Sequence, residues 1–174
     1  MEVRFLDVRT VPEQQLAVWE SWLSPEKRQR IDRLPPRHRL ASLCADGLAR
    51  EMLAETLHCT PEEVAFTYTA AGKPLTEGAH FSVSHSGSVV ACAVSDVPVG
   101  IDVERIRPVP PRLGRALGEW QSEEDFWQLW THREAALKCR GETLGAWKRS
   151  GEEGLIFSTL TAPEGHIAAV CEEK

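Results

Sequence analysis

Alternating apolar and polar residues predict several short strands along the chain. Glu2 to Val8 alternate well enough for a first strand, and Phe81 to Val94 predict a hairpin bent at Ser86-Gly87-Ser88. The stretch Gly100-Ile101-Asp102-Val103-Glu104 has the same alternation, with Ile101 and Val103 on its apolar side. Because successive side chains of a strand point to opposite faces, both acidic residues lie on the other side.

Apolar residues at helical spacing predict helices between these strands. Pro12 opens one helical stretch, and Ser24-Pro25-Glu26-Lys27 has the N-cap, proline and early acid of a second helix start. From Arg37 to Leu57 the apolar residues recur mostly three to five apart, which indicates a long amphipathic helix. Ser122-Glu123-Glu124-Asp125 resembles a capping box that opens a further helix, and Gly141 is a plausible end for it.

Four charged residues of the acidic strand and the last helix are the clearest candidates for chemistry. Asp102 and Glu104 share one side of the strand, and Glu134 and Lys138 share one helix face, so that three carboxylates and a lysine can converge. Three anionic oxygen ligands suit a hard divalent cation, and magnesium usually takes the rest of its shell from water and phosphate oxygens. The pattern predicts a magnesium site and a phosphate-bearing substrate.

Each half of this pattern also has a structural interpretation. Asp102 and Glu104 are equally compatible with the solvated side of a half-buried strand. Glu134 and Lys138 are compatible with a surface ion pair, which is worth only about 0.3–0.5 kcal/mol. The occurrence of both halves in this order favours the functional interpretation.

Composition and charge exclude several other classes of protein. A chain of 174 residues with 42% hydrophobic and 26% charged residues is typical of a globular protein with one core or two small lobes. Its net charge of −6 argues against a general nucleic-acid binder. The first residues carry no apolar signal core, and no apolar stretch is long enough for a membrane span. We therefore expect a cytoplasmic monomer without nucleic-acid or membrane partners.

The cysteines and histidines do not suggest a transition-metal site. The five cysteines are widely spaced and contain no Cys-x-x-Cys pair, which also argues against a disulfide framework. The six histidines show no His-x-x-x-His spacing.

A faint internal duplication predicts two lobes. Phe81-Ser82 with the following Gly87 to Cys92 resembles Phe157-Ser158 with the following Gly165 to Val170, each a strand, a turn and a second strand. Two α+β lobes related by a pseudo-twofold axis would account for this, although any two hairpins share such a pattern. A site between the lobes is then expected.

The motifs, taken in chain order, resemble those of the 4′-phosphopantetheinyl transferases of the two-lobed, surfactin-synthetase (Sfp) type. The resemblance runs from about Ser24 to Val170 and rests on five blocks: Ser24 to Arg28, Gly72-Lys73-Pro74, Ala79 to Gly87, Gly100 to Glu104, and Trp130 to Lys138. It implies an α+β fold of two pseudo-twofold-related lobes, each a small antiparallel sheet packed with a long helix. The implied lobes are residues 1–99 and a shortened 100–174, with the active site between them.

The resemblance also implies an activity, which is magnesium-dependent transfer of the 4′-phosphopantetheine moiety of coenzyme A to a serine of an acyl or peptidyl carrier protein. Adenosine 3′,5′-bisphosphate is the implied second product. By position, Asp102, Glu104 and Glu134 match the metal ligands of the family, and Glu134 also matches its proposed base. Lys138 matches the lysine that contacts the pyrophosphate.

Further positions match the family's contacts to coenzyme A. A lone histidine such as His85 is more often structural, and only the surrounding Ser-His-Ser-Gly block favours a ligand contact. The matching residues are Lys27, Arg30 and Arg39 for the 3′-phosphate, and Lys73, Ser84 and His85 for the nucleotide phosphates.

The chain departs from the family pattern in three places. Arg133 occupies the position of the usual lysine before Glu134, the segment between Asp102 and Glu134 is short, and so is the tail after Lys138. The short segment falls where relatives position the carrier helix, although Leu113, Leu117 and their apolar neighbours could still offer a groove.

Two other classes of function remain open. One is a non-catalytic coenzyme A or carrier-binding module of the same fold, which the short second lobe suggests. The other is a different metal-dependent phosphoryl-transfer enzyme or hydrolase that uses the same carboxylates without a carrier protein.

Overall fold

The structure is a computed structural model that describes residues 1–69, 72–115, 117, 119–146, 151–158 and 160–174. Its elements in chain order are β1 (Glu2–Asp7), a 3₁₀ turn (Val8–Thr10), α1 (Glu13–Ser21), α2 (Pro25–Asp32), α3 (Pro36–Leu57), β2 (Thr67–Tyr68), β3 (Pro74–Leu75), β4 (His80–Ser86), β5 (Val89–Ser95), β6 (Val99–Arg105), α4 (Pro111–Gly114), α5 (Glu123–Arg140), a 3₁₀ turn (Leu144–Ala146), β7 (Leu155–Ser158) and β8 (His166–Glu173).

The first sheet is antiparallel and has the strand order β1-β5-β4. Every residue of the central strand β5 is buried, and its apolar side packs against α3, with Val90 and Cys92 beside Met52 and Leu53. On the other side of β5, the small residues Ala91 and Ala93 belong with Val89 to a cluster shared with β6. Small side chains there allow the second half of the chain to pack closely against the first sheet.

Strands β2 and β3 form a separate two-stranded sheet. The other three-stranded sheet repeats the arrangement of the first, with the strand order β6-β8-β7 and with α5 as its long helix. In both halves a strand is followed by a long helix and then by a hairpin whose last strand takes the central position. Phe81 and Phe157 of the internal duplication lie on the equivalent strands β4 and β7. The predicted α+β class with small antiparallel sheets and long helices is confirmed, whereas the division into 1–99 and 100–174 stays a prediction.

The local signals for helix ends correspond to real caps. The Ser24 hydroxyl accepts a hydrogen bond from the Lys27 backbone N–H at 3.2 Å, and the Ser122 hydroxyl accepts one from Asp125 at 3.1 Å. Gly141 ends α5 with a φ of 67°, in the left-handed region that favours glycine. These caps fix the ends of the two helices, α2 and α5, that carry predicted site residues.

Among the described helices, none is both long and apolar enough to cross a membrane.

The position of α5 depends on a close approach to β6 at Gly100. A Cβ atom at this residue would overlap the backbone carbonyl of Ala135 and the backbone amide of Cys139. Only glycine therefore lets the helix backbone lie directly on the strand. Because Glu134 and Lys138 flank this contact on α5, the same approach brings them over the acidic side of β6.

We predict that Gly100→Ala lowers the free energy of unfolding by about 1–3 kcal/mol, because the added methyl group overpacks a contact between two backbones. Chemical denaturation of the purified variant measures this loss. The matched control is Gly151→Ala, whose Cβ would meet only the Glu153 backbone nitrogen at 4.0 Å. Equal stability of the two variants would show that α5 does not rest on β6 at Gly100.

Candidate functional site

A cavity of about 420 Å³ opens where β4 and β6 meet the long helices α3 and α5. It brings together seven of the ten residues that the sequence singled out, and residues of both halves of the chain contribute to it. The lining residues are Lys27, Ser42, Ala45, Val83, Ser84, His85, Asp102, Glu104, Trp130, Glu134 and Lys138.

Asp102 is the most buried of the acidic lining residues, with 5% of its surface exposed. Its Oδ1 atom lies 2.7 Å from Lys138 Nζ and accepts a hydrogen bond from Ser84 Oγ, also at 2.7 Å. Its Oδ2 atom is buried and has no hydrogen-bond partner among the described residues. Asp102 is therefore not on a solvated face, and one of its oxygens has its hydrogen-bonding capacity unused.

Glu104 and Glu134 lie beside this aspartate in the same cavity. Partial burial raises the pKa of Glu104, and the nearby negative charge of Asp102 raises it further, although a hydrogen bond from Ser86 opposes the shift. The pKa of Glu134 is raised by the same two causes, burial first and then repulsion by Asp102. Both shifts indicate that three carboxylates are crowded at one place.

The chemistry of this donor set fits a hard divalent cation. The described residues contain no group of three histidine, cysteine or acidic side chains already arranged for a metal. The unpartnered Oδ2 of Asp102 and the two crowded glutamates nevertheless offer oxygen atoms alone, which magnesium prefers. A bound cation would provide the missing partner and offset the repulsion among the carboxylates.

Lys138 connects the helix to the strand. Its Nζ atom bonds Asp102 and approaches the Val83 carbonyl oxygen at 3.5 Å, so its ion pair is with the strand β6. The Lys138 side chain is 29% exposed and stays accessible from the cavity. The lysine is thus held by one carboxylate oxygen and can still meet an anionic ligand.

Lys27 and His85 line the same cavity as the carboxylates. Lys27 Nζ lies 3.4 Å from Oδ1 of the buried Asp46, whose other oxygen bonds Arg50 at 2.9 Å. The His85 ring is exposed, with its centroid 6.3 Å from that of His38. The cavity therefore contains basic groups as well as carboxylates.

Three candidate residues, Arg30, Arg39 and Lys73, do not line this cavity. The Arg30 guanidinium stacks 4.2 Å from the centroid of the Tyr68 ring. Arg39 donates to the carbonyl oxygens of Leu34 at 2.9 Å and Asp32 at 2.7 Å, and so ties α3 to the end of α2. The predicted contacts of Arg30 and Arg39 to the 3′-phosphate of coenzyme A stay predictions.

Lys73 lies at the carboxyl end of α5. Its Nζ atom donates to the carbonyl oxygens of Lys138 at 2.6 Å and Cys139 at 3.3 Å, and burial lowers its pKa. It lines a second cavity of about 270 Å³, which shares Val83, Glu134 and Lys138 with the first. Lys73 therefore lines a cavity that adjoins the one with the carboxylates. Its ammonium group is hydrogen-bonded to carbonyl oxygens at the end of α5.

Sequence reasoning missed two residues that support the site. Asp46 holds Lys27 from the centre of α3, and Ser86 donates to Glu104 Oε2 at 2.6 Å. An acidic residue amid the apolar positions of a helix, with Arg50 one turn later, was a signal for the first. The serines at every second position of β4 were a signal for the second.

Comparison with known proteins identifies the family. A family profile described as "4'-phosphopantetheinyl transferase, N-terminal" matches residues 11–97. The 4'-phosphopantetheinyl transferase HetI of Nostoc sp. is 33% identical over 174 aligned positions, which cover 87% of this chain and 72% of HetI. The chain therefore belongs to the 4′-phosphopantetheinyl transferase superfamily, in its Sfp type, as its motifs predicted.

Two further similar proteins are also 4'-phosphopantetheinyl transferases by name. The 4'-phosphopantetheinyl transferase Sfp of Bacillus subtilis is 29% identical over 142 positions, and gsp of Aneurinibacillus migulanus is 30% identical over 134. The matches cover 71% and 69% of this chain, but only 62% of Sfp and 56% of gsp. The chain thus spans less than two thirds of the length of these two relatives.

We predict that Lys73→Met lowers the free energy of unfolding by about 1–2 kcal/mol without any ligand present, because the last carbonyls of α5 lose a charged donor. Thermal or urea unfolding of the ligand-free protein measures the effect. Lys174→Met, at an exposed position, is the control. Unchanged stability of Lys73→Met would mean that the contact with α5 contributes nothing and would leave only a ligand-binding role for this lysine.

Proposed function

We propose that this protein transfers the 4′-phosphopantetheine moiety of coenzyme A to a serine of an acyl or peptidyl carrier protein, with magnesium, and releases adenosine 3′,5′-bisphosphate. The observation that carries the proposal is the convergence of Asp102, Glu104, Glu134 and Lys138 in one cavity, in a chain of this superfamily. Family membership gives the class of reaction, and the charges of the cavity match its substrate.

The charge distribution suits a substrate that carries a pyrophosphate. Lys27 and His85 provide basic groups in the lining of the cavity, and Lys138 provides another beside Asp102. In the proposal, Lys27 contacts the 3′-phosphate, with Arg30 and Arg39 on the neighbouring surface as further cations. Ser84, His85 and Lys73 are the proposed contacts to the nucleotide phosphates.

The proposed reaction is a phosphoryl transfer to a serine hydroxyl. A bond forms between the serine oxygen and the phosphorus that bears the pantetheine arm, and the bond from that phosphorus to the bridging pyrophosphate oxygen breaks. Glu134 accepts the proton of the serine hydroxyl, for which partial burial beside two other carboxylates makes it a suitable base. The bridging oxygen leaves with adenosine 3′,5′-bisphosphate.

Asp102, Glu104 and Glu134 would together hold the magnesium ion. When bound, magnesium would neutralise charge on the pyrophosphate oxygens and so favour departure of the leaving phosphate. Asp102 Oδ2 is the free oxygen of a side chain whose other oxygen Lys138 and Ser84 hold in place. Lys138 stabilises the negative charge that develops on the leaving phosphate.

The aromatic residues of α5 form a buried cluster next to the cavity. Phe126 and Trp127 are fully buried, and Leu113 and Leu117 pack against the same cluster. Trp130 belongs to this cluster and also lines the cavity. We propose that the surface around Leu113 and Leu117 receives the carrier, although the segment is shorter than in relatives.

The direct test is incubation of the purified protein with coenzyme A, magnesium and a panel of apo acyl and peptidyl carrier proteins, followed by intact-mass measurement of each carrier. The expected result is a magnesium-dependent gain of one phosphopantetheinyl group on at least one carrier. Loss of that gain when the carrier serine is replaced by alanine would locate the attachment. Hydrolysis of coenzyme A without any carrier would instead support another phosphoryl-transfer enzyme, and binding of coenzyme A without transfer would support a non-catalytic module.

We predict that Asp102→Asn lowers magnesium-dependent transfer at least about 10–100-fold, since even partners of metal ligands contribute that much to metal affinity or activity. The asparagine keeps the shape of the side chain and removes its charge. Initial rates on one carrier, with circular dichroism to verify folding, measure the loss. Asp96→Asn, at an exposed position after β5, is the control, and wild-type rates for both variants would remove Asp102 from the mechanism.

A further inference from the structure

Three serines on one side of β4 connect the two three-stranded sheets. Ser82, Ser84 and Ser86 are 5%, 8% and 7% exposed. The Ser82 hydroxyl accepts from the Ile101 backbone N–H at 3.1 Å, and the other two hydroxyls donate to the carboxylates of β6. Because β4 and β6 are edge strands of different sheets, side-chain hydroxyls bridge them in place of a backbone ladder.

Ser86 makes two contacts with β6 through its single hydroxyl. It donates to Glu104 Oε2 at 2.6 Å and accepts from the Arg105 backbone N–H at 3.1 Å. The second contact fixes the serine oxygen against the backbone of the residue that follows Glu104. Because the hydroxyl hydrogen is donated to the carboxylate, Ser86 restrains the rotamer of Glu104.

The guanidinium of Arg107 competes with Ser86 for the Glu104 carboxylate. Arg107 Nη2 lies 3.5 Å from the same Glu104 Oε2 atom, and the Arg107 side chain is 45% exposed and stacks on the Trp127 ring. Without the Ser86 hydroxyl, Arg107 would be the remaining described polar partner of that oxygen, and Arg107 does not line the cavity that Glu104 shares with Asp102. The Ser86 hydroxyl therefore competes with Arg107 for the same oxygen of Glu104.

We infer that Ser86 is a positioning residue, which holds the Glu104 carboxylate toward Asp102 so that the two can share one divalent cation. The inference rests on the proposed function only in taking these carboxylates as ligands of magnesium. Ser84 is placed in the site by its own contact with Asp102, whereas Ser86 does not line the cavity and acts through Glu104. Partners of this kind contribute about 10–100-fold to metal affinity.

The test is calorimetric titration of Mg²⁺ into the ligand-free wild-type protein, Ser86→Ala and Ser86→Thr. We expect Ser86→Ala to bind Mg²⁺ about 10–100-fold more weakly, and Ser86→Thr, which keeps the hydroxyl, to restore most of the affinity. In the transfer assay, Ser86→Ala should need a correspondingly higher Mg²⁺ concentration for half-maximal rate and should regain rate at saturating Mg²⁺. If the alanine variant does not fold, Ser86→Cys tests the same contact, because a thiol has a similar size but is only a weak hydrogen-bond donor.

A matched control exists on the neighbouring strand. Ser95 is also buried, donates to the Glu172 carboxylate and accepts from the Val97 backbone N–H at 3.3 Å. Ser95→Ala therefore removes the same pair of contacts outside the lining of the cavity. It should lose stability comparably to Ser86→Ala and keep the wild-type affinity for Mg²⁺.

The outcomes separate this inference from the proposed function. Equal Mg²⁺ affinity of the wild type and Ser86→Ala would overturn the inference alone, and so would an equal loss in Ser95→Ala. No Mg²⁺ binding by the wild type would overturn both the inference and the metal part of the proposed function. Weaker binding in Ser86→Ala, together with no transfer to any carrier by the wild type, would support the inference and contradict the transferase.

Discussion

The close approach of α5 to β6 at Gly100 determines where Glu134 and Lys138 lie relative to the carboxylates of β6. A strand and a helix normally keep a layer of side chains between them, but here the backbone of Ala135 and Cys139 lies directly on the glycine. At that separation Lys138 reaches Asp102 at 2.7 Å, and Glu134 enters the same cavity as Glu104. A helix held farther away would leave the carboxylates of β6 without their lysine.

The site lies at the contact between β4 and β6, two edge strands of different sheets that are not paired by backbone hydrogen bonds. In each three-stranded sheet the central strand has backbone hydrogen bonds on both sides. The edge strands β4 and β6 are instead bridged by serine hydroxyls. This arrangement places carboxylates in partial burial beside one another, which costs stability unless a cation is near. Lys138 offsets part of that cost, and Asp102 Oδ2 remains the unsatisfied atom. A binding site assembled in this way has lower stability than an apolar seam and a higher affinity for a cation.

Much of the fold followed from local patterns, because caps and alternation are local. Ser24 and Ser122 begin helices and Gly141 ends one where the sequence predicted, and alternation put Asp102 and Glu104 on one side of β6. The contacts of Asp46 with Lys27 and of Lys73 with the end of α5 were not predictable, because they join residues whose proximity depends on tertiary packing. The same applies to Arg39, whose guanidinium binds backbone carbonyls.

A crystal structure of the protein with Mn²⁺ and coenzyme A, with the metal located by anomalous scattering, would test the assembly of the site most directly. The predicted result is one metal peak bound by oxygens of Asp102, Glu104 and Glu134, with the pyrophosphate beside it and within reach of Lys138. A well-ordered coenzyme A with its pyrophosphate elsewhere, or a metal peak away from these carboxylates, would contradict the interpretation of the β6–α5 crossing as a catalytic centre.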